Sequence, residues 1–157
     1  MVVAEVPDAS LVITSDLSLW TGYDVSDRVR PYRMSWAGVP GVKYVGAVPR
    51  DELIKIQSEA EFHLYPCTYQ ELFCISVAES QVAGAVPITS TTGALETTNR
   101  HGIKIQGNPH DSTFVAEFAQ KVIAEMKQST RMDIRLRAEQ EFGLDRILDE
   151  WDKVFDE

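Results

Sequence analysis

The sequence predicts an α/β fold, with a parallel sheet of about five strands flanked by helices, in a single domain spanning residues 1–157. Three observations predict it. Phe62–Tyr65 and Val86–Thr89 are short apolar runs bounded by turn residues, the pattern of strands buried on both faces of a parallel sheet. Parallel neighbours need a crossover, and the stretch between them supplies a helix: Leu72, Ile75, Val77 and Ala83 are apolar, and Ala78, Gly84 and Ala85 are small enough for close packing on a sheet. Gly84 is placed as the C-terminal stop of that helix.

The remaining elements follow in order. Val2–Val6 reads as the end of a helix, Pro7 and Asp8 as a turn, and Leu11–Thr14 as a strand followed by Ser15 and a structural Asp16. Ser18–Pro40 is irregular, with a short helix at Ser26–Arg30 that Pro31 disturbs. It also holds Trp20, Tyr23, Tyr32 and Trp36, of which Trp20 and Trp36 are expected to cover core edges, with stacking on a base as the alternative. Val42–Val45 is the next strand, and Pro49 with Asp51 and Glu52 opens a helix whose apolar side is Leu53, Ile54 and Ile56. His63, flanked by Phe62 and Leu64, is expected to be a packed, hydrogen-bonded core histidine. After Gly102–Ile105, a short strand, Asn108–Ser112 holds cap residues for a helix with a core stripe of Phe114, Val115, Phe118, Val122, Ile123 and Met126. Two more amphipathic helices, Arg131–Phe142 and Leu144–Phe155, are separated by Gly143.

Composition narrows the function classes. A chain of 157 residues, 44% hydrophobic and 25% charged, is long enough for a proper core. A net charge of −9 argues against nucleic acid or an anionic membrane as partner. No run approaches the length of a membrane span and no signal peptide is read, so a cytoplasmic setting is expected. Cys67 and Cys74 lie in apolar surroundings and are expected to be reduced, buried thiols. His63, His101 and His110 are dispersed, and no metal is expected.

The chemistry concentrates between Glu61 and Glu96. Glu71 is expected at or just before the first turn of the crossover helix, at the carboxyl end of a strand, where open α/β sheets bind ligands. The amides of Leu72, Phe73 and Cys74 would then be free donors at a helix N-terminus. Glu79, eight residues on, would lie about 12 Å further along an ideal helix. Its neighbours Val77, Ala78, Val82 and Ala83 leave a carboxylate in need of partners. Two carboxylates so spaced suit one elongated ligand better than one metal.

Glu71 and Glu79 form an E-x7-E pattern. Around it come strand, Pro66, short loop, helix, Ala83-Gly84-Ala85-Val86-Pro87-Ile88, and a Gly-bearing loop closed by Glu96. This ordered set, extending from Asp8 to Phe155, resembles the carboxyl-terminal donor-binding domain of the retaining GT-B glycosyltransferases (group 1, family 4-like). The resemblance implies a Rossmann-like three-layer sheet, the carboxyl-terminal half of a GT-B fold, that binds a UDP-, GDP- or ADP-linked sugar as substrate without metal or cofactor. Glu71 would contact the sugar near the reacting carbon, as the catalytic or sugar-positioning carboxylate. Leu72, Phe73 and Cys74 would offer amides to the sugar, and Glu79 would bind the ribose hydroxyls. Thr92, Gly93 and Ala94 match the loop that cradles the diphosphate, and Val45–Val48, with Gly46 and Val48, match the loop that frames the base.

Some features depart from the family pattern. Leu72-Phe73-Cys74 stands where the family often has Gly-Phe-Gly, and Thr92 replaces one glycine of the phosphate loop. No residue matches the Arg and Lys that hold the diphosphate, and the acceptor-binding domain is missing, so the chain is expected to be truncated at its N-terminus and inactive alone. Trp151 and Phe155, on helices that in the family cross to the other domain, are expected to be exposed. The alternative is a non-catalytic nucleotide- or sugar-binding module of the same shape. A nucleotide-sugar epimerase and a flavodoxin-like signalling domain fit less well, the first on the E-x7-E spacing and the second on its missing acidic cluster.

Overall fold

A computed structural model of the chain describes residues 2–14, 35–36, 38–128 and 131–155. Ser15 and Asp16, the aromatic residues Trp20, Tyr23 and Tyr32, and the short helix expected at Ser26–Arg30 lie outside the described residues. The chain divides into two compact units, Met1–Leu53 and Ile54–Glu157. The five described strands are all parallel, as expected, but they form two sheets of two and three strands instead of one sheet.

In the first unit, α1 (Val2–Glu5) precedes β1 (Leu11–Ile13) and β2 (Val42–Tyr44), which pair with Leu11 opposite Val42 and Ile13 opposite Tyr44. The ring of Trp36 packs at 5.8 Å from that of Tyr44, so this tryptophan has a packing partner within its own unit. Pro49 immediately precedes α2 (Arg50–Glu59), whose first turn carries Asp51 and Glu52 at the positive end of the helix dipole.

The second unit is built on β3 (Phe62–Tyr65), β4 (Val86–Ser90) and β5 (Ile103–Ile105), in the order β3-β4-β5. Every residue of β4 is buried. It is the central strand, covered on both faces, which is why Val86 and Ile88 can be apolar in a row with Pro87 and Thr89. The crossover from β3 to β4 carries α3 (Ile75–Ala83), and that from β4 to β5 carries the short α4 (Leu95–Thr98). α5 (Ser112–Glu125) packs on β5, α6 (Arg131–Phe142) on α3, and α7 (Leu144–Phe155) on α6. Ile88 and Leu95 are fully buried. Each contributes roughly 1.5–3 kcal/mol relative to an exposed side chain.

Two buried amides stitch these elements together. The Gln81 side chain donates to the carbonyls of Val77 (3.1 Å) and Thr98 (2.9 Å) and accepts from the amides of Arg100 and His101, both at 3.1 Å. Asn99 donates to the Thr89 hydroxyl and the Ile103 carbonyl, each at 2.9 Å, and accepts from the Gly102 amide at 2.9 Å. Both side chains are fully buried, and their bonds satisfy the irregular backbone between α4 and β5. Further out, Arg100 and His101 approach the same Glu141 oxygen of α6 at 3.1 and 3.5 Å, at ion-pair distance but poorly aligned as hydrogen bonds. No described helix is long and apolar enough to cross a membrane.

The crossover helix starts later than the sequence suggests. It begins at Ile75, not near Glu71, and Cys74 at its N-cap has φ 62°, the one positive φ of a non-glycine residue among those described. The reason is competition for carbonyls. A helix starting at Glu71 would use the Glu71 carbonyl for Ile75 and the Phe73 carbonyl for Val77. Here the Ala94 amide donates to the Glu71 carbonyl at 2.8 Å, and the Thr98 hydroxyl donates to the Phe73 carbonyl. Val77 instead bonds the Cys74 carbonyl at 3.1 Å. The helix ends as expected at Gly84, with φ 93°.

Candidate functional site

The loops leaving the carboxyl ends of β3 and β4 meet at Glu71. Its amide donates to the Tyr69 carbonyl at 3.0 Å, and its carbonyl accepts from Ala94 at 2.8 Å. Gly93, with φ 59°, lies so close that a Cβ built there would stand 2.7 Å from both the Glu71 nitrogen and its carbonyl oxygen. This contact therefore requires glycine twice over, once for the conformation and once for the space. The structure thus brings together Glu71, Gly93 and Ala94, three of the expected site residues, from two different loops.

The Glu71 carboxylate is held as well. The Tyr65 hydroxyl, at the end of β3, donates to Glu71 Oε1 at 2.6 Å. Burial raises the Tyr65 pKa, and side-chain hydrogen bonds to Glu71 and then Cys67 raise it further, so the phenol keeps its proton through the physiological range. The Tyr65 ring packs against a buried cluster of Cys74, Val77 and Leu95. Burial raises the Cys74 thiol too, ahead of smaller opposing hydrogen bonds to Ser76 and Val77, and this thiol is inert packing. Cys67 is only half-buried, a correction to the expectation of two buried thiols.

The other expected residues are distributed as follows. Glu79 is half-buried in the second turn of α3, so the two glutamates of the E-x7-E pattern do not share one helix. Leu72, Phe73 and Cys74 lie on the loop before that helix, so their amides are not helix N-terminal donors. Leu72 is 95% exposed, while the Phe73 ring meets Phe142 of α6 edge-on at 6.2 Å. Thr92 is half-buried, and its carbonyl accepts from Leu95 at 3.3 Å. The Glu96 amide bonds the Gly93 carbonyl at 3.4 Å, and Lys104 donates to the Glu96 carbonyl at 2.9 Å. Of the cradle residues, Ala94 has its amide committed to Glu71, which removes one of the expected diphosphate donors. Gly46 and Val48 lie on the loop after β2, in the first unit, with Gly46 at φ 71°.

His63 is the core histidine that its strand position suggests. Its Nδ1 is 2.8 Å from the Ser80 hydroxyl, which itself donates to the Val77 carbonyl at 2.9 Å. A serine has one hydroxyl proton, so Nδ1 must carry the hydrogen of a neutral ring. Although His63 keeps some accessible surface, the packing around its ring dominates, and burial lowers its pKa from 6.5 to about 4.

Sequence reasoning missed Tyr65 and the buried amides of Gln81 and Asn99. Tyr65 read only as the last apolar residue of a strand, and nothing in its spacing announces a partner six residues on. Gln81 carried a weak signal, being a polar residue next to Val82 and Ala83 and one turn after Val77 and Ala78. Among the described residues, no group of three or more His, Cys, Asp or Glu is arranged to hold a metal ion.

Fold and site together define an α/β protein with parallel strands in two small sheets flanked by helices, in which Glu71, Gly93 and Ala94 meet on the loops that follow two parallel strands. No family model matches the chain, and no curated protein matches it.

Proposed function

We propose that the chain is the donor-binding domain of a retaining glycosyltransferase, which moves a sugar from a nucleotide sugar to an acceptor hydroxyl. What carries this proposal is the hydrogen bond from the Ala94 amide to the Glu71 carbonyl across the close Gly93 contact, which fixes the backbone of Glu71 and a glycine turn side by side beyond the ends of β3 and β4. Ligands of open α/β sheets bind at such strand ends. Glu71 would take sugar hydroxyls, and Glu79 the ribose. The diphosphate would lie along Thr92 and Gly93, using the Gly93 amide and the Thr92 hydroxyl, since Ala94 is already engaged. The left-handed backbone at Cys74 supports the same assignment. It occupies the last position of the family's Gly-Phe-Gly, so the backbone keeps a glycine-like path although the side chain is larger.

The leaving diphosphate would be stabilised electrostatically, the term that dominates many transfer reactions. A non-catalytic nucleotide- or sugar-binding module is the second reading, favoured by the occupied Ala94 amide. Calorimetric titration with UDP, GDP, ADP and their hexose conjugates tests the proposal. One nucleotide should bind, and Glu79→Ala should weaken it about tenfold, the loss of a charged hydrogen bond. Binding of none at millimolar concentration would refute the proposal, and binding unaffected by Glu79→Ala would remove the ribose assignment.

A further inference from the structure

We infer that Tyr65 is the positioning residue for Glu71, setting the orientation in which its carboxylate receives the sugar hydroxyls of a nucleotide-sugar ligand. The inference rests on the donor-binding proposal and goes beyond it by adding a residue that the E-x7-E pattern does not contain.

Three anchors act on Glu71, and each comes from a different part of the unit. Its amide is tied to Tyr69 within its own loop, and its carbonyl to Ala94 of the next loop. Those two bonds fix the backbone but leave the side-chain torsions open. The third anchor closes them: the Tyr65 hydroxyl at 2.6 Å from Oε1. The place of that hydroxyl is set by the sheet and the core, because Tyr65 is paired with Thr89 in the β3–β4 register and its ring packs on the cluster of Cys74, Val77 and Leu95. The carboxylate is therefore referenced to rigid elements although Glu71 itself sits on a loop. Among the described residues, Oε2 has no hydrogen-bond partner from another side chain, so one carboxylate oxygen is held by the protein and the other is left to accept a ligand hydroxyl. Tyr65, which keeps its proton, acts towards Glu71 as a donor, the role that an acceptor-only carboxylate requires of its partner.

A positioning role has a signature that a packing role lacks. Calorimetry on the wild type, Tyr65→Phe, Glu71→Ala and the double variant compares UDP, GDP and ADP with UDP-glucose, GDP-mannose and ADP-glucose. For the nucleotide that binds, the affinity ratio of sugar conjugate to bare diphosphate should fall about tenfold in Tyr65→Phe, the effect of one hydrogen bond to a charged group. The bare diphosphate should bind within about twofold of wild type, and adding Tyr65→Phe to Glu71→Ala should change nothing further. Tyr65→Phe keeps the ring in the core, and circular dichroism confirms that each variant is folded. A ratio unchanged in Tyr65→Phe, or lowered equally in the Glu71→Ala background, overturns the inference while the donor proposal stands. A wild type that binds no nucleotide at all overturns both.

Discussion

Gly93 is the residue on which the site's geometry depends most. Replacing it with alanine would put a Cβ at 2.7 Å from two backbone atoms of Glu71, at a φ of 59° that a side chain disfavours. The left-handed conformation alone costs about 1–2 kcal/mol in a non-glycine residue, and neither backbone neighbour can move as a flexible side chain would. Gly93→Ala is therefore expected to lower unfolding free energy by at least about 1–2 kcal/mol in urea denaturation. His63 makes a second prediction at this scale. Its folded-state pKa, about 4, lies below the ordinary 6.5, so the unfolded chain binds more protons between those values. Stability from the neutral ring is fully present above pH 6.5 and is lost as pH falls towards 4, on the order of 3 kcal/mol when complete. Urea unfolding at pH 7 and pH 4.5 should show a larger loss for wild type than for His63→Gln, since carboxylate contributions are common to both. Equal losses would contradict the assignment.

At the scale of elements, the buried amides decide more than the helix propensities do. Gln81 reaches from α3 to the backbone of Thr98, Arg100 and His101, none of which is held by a regular ladder there. Gln81→Leu would keep the volume and leave those groups without partners, at about 1–3 kcal/mol for each buried group left unpaired. The expected loss is about 3 kcal/mol or more, measured as a shift of the denaturation midpoint at unchanged slope. The same elements show what the sequence makes legible. Phe62–Tyr65, the β4 run, Gly84, Gly143 and the bounds of the three C-terminal helices were all readable, because apolar period and turn residues are local properties of the chain, although Val115, expected in the core stripe of α5, is exposed. The start of α3 was not, because it is set by Ala94 and Thr98, which take the carbonyls of Glu71 and Phe73 from far along the chain. Tyr65 was invisible for a similar reason, its role depending on where a loop returns.

At the scale of the whole molecule, sequence and structure agree on an α/β chain of parallel strands, and differ in how the strands are shared between sheets. Hydrophobic patterning specifies that a strand is buried on both faces; it does not specify which strand lies beside it. Trp151 and Phe155 are both exposed, as anticipated, and stack on each other at 5.6 Å on an apolar stripe of α7 that also includes Leu144, Leu148 and Val154. The net charge of −9 sets a general background against anionic ligands, so a diphosphate would have to be drawn in by local amide and hydroxyl donors and by weak contributions such as Lys104 near Glu96. Its affinity should accordingly fall less as ionic strength is raised than that of a site built on arginines.

The central claim is that the loops after β3 and β4 form one ligand site, and amide NMR spectra of the isotopically labelled chain, titrated with the nucleotide sugar that calorimetry selects, test it most directly. The prediction is that the largest shift changes fall on the amides of Glu71, Leu72, Phe73, Cys74, Thr92 and Gly93, with a second group around Glu79. Changes confined to other elements, such as α5 or α6, with those loops unperturbed at saturation, would contradict it.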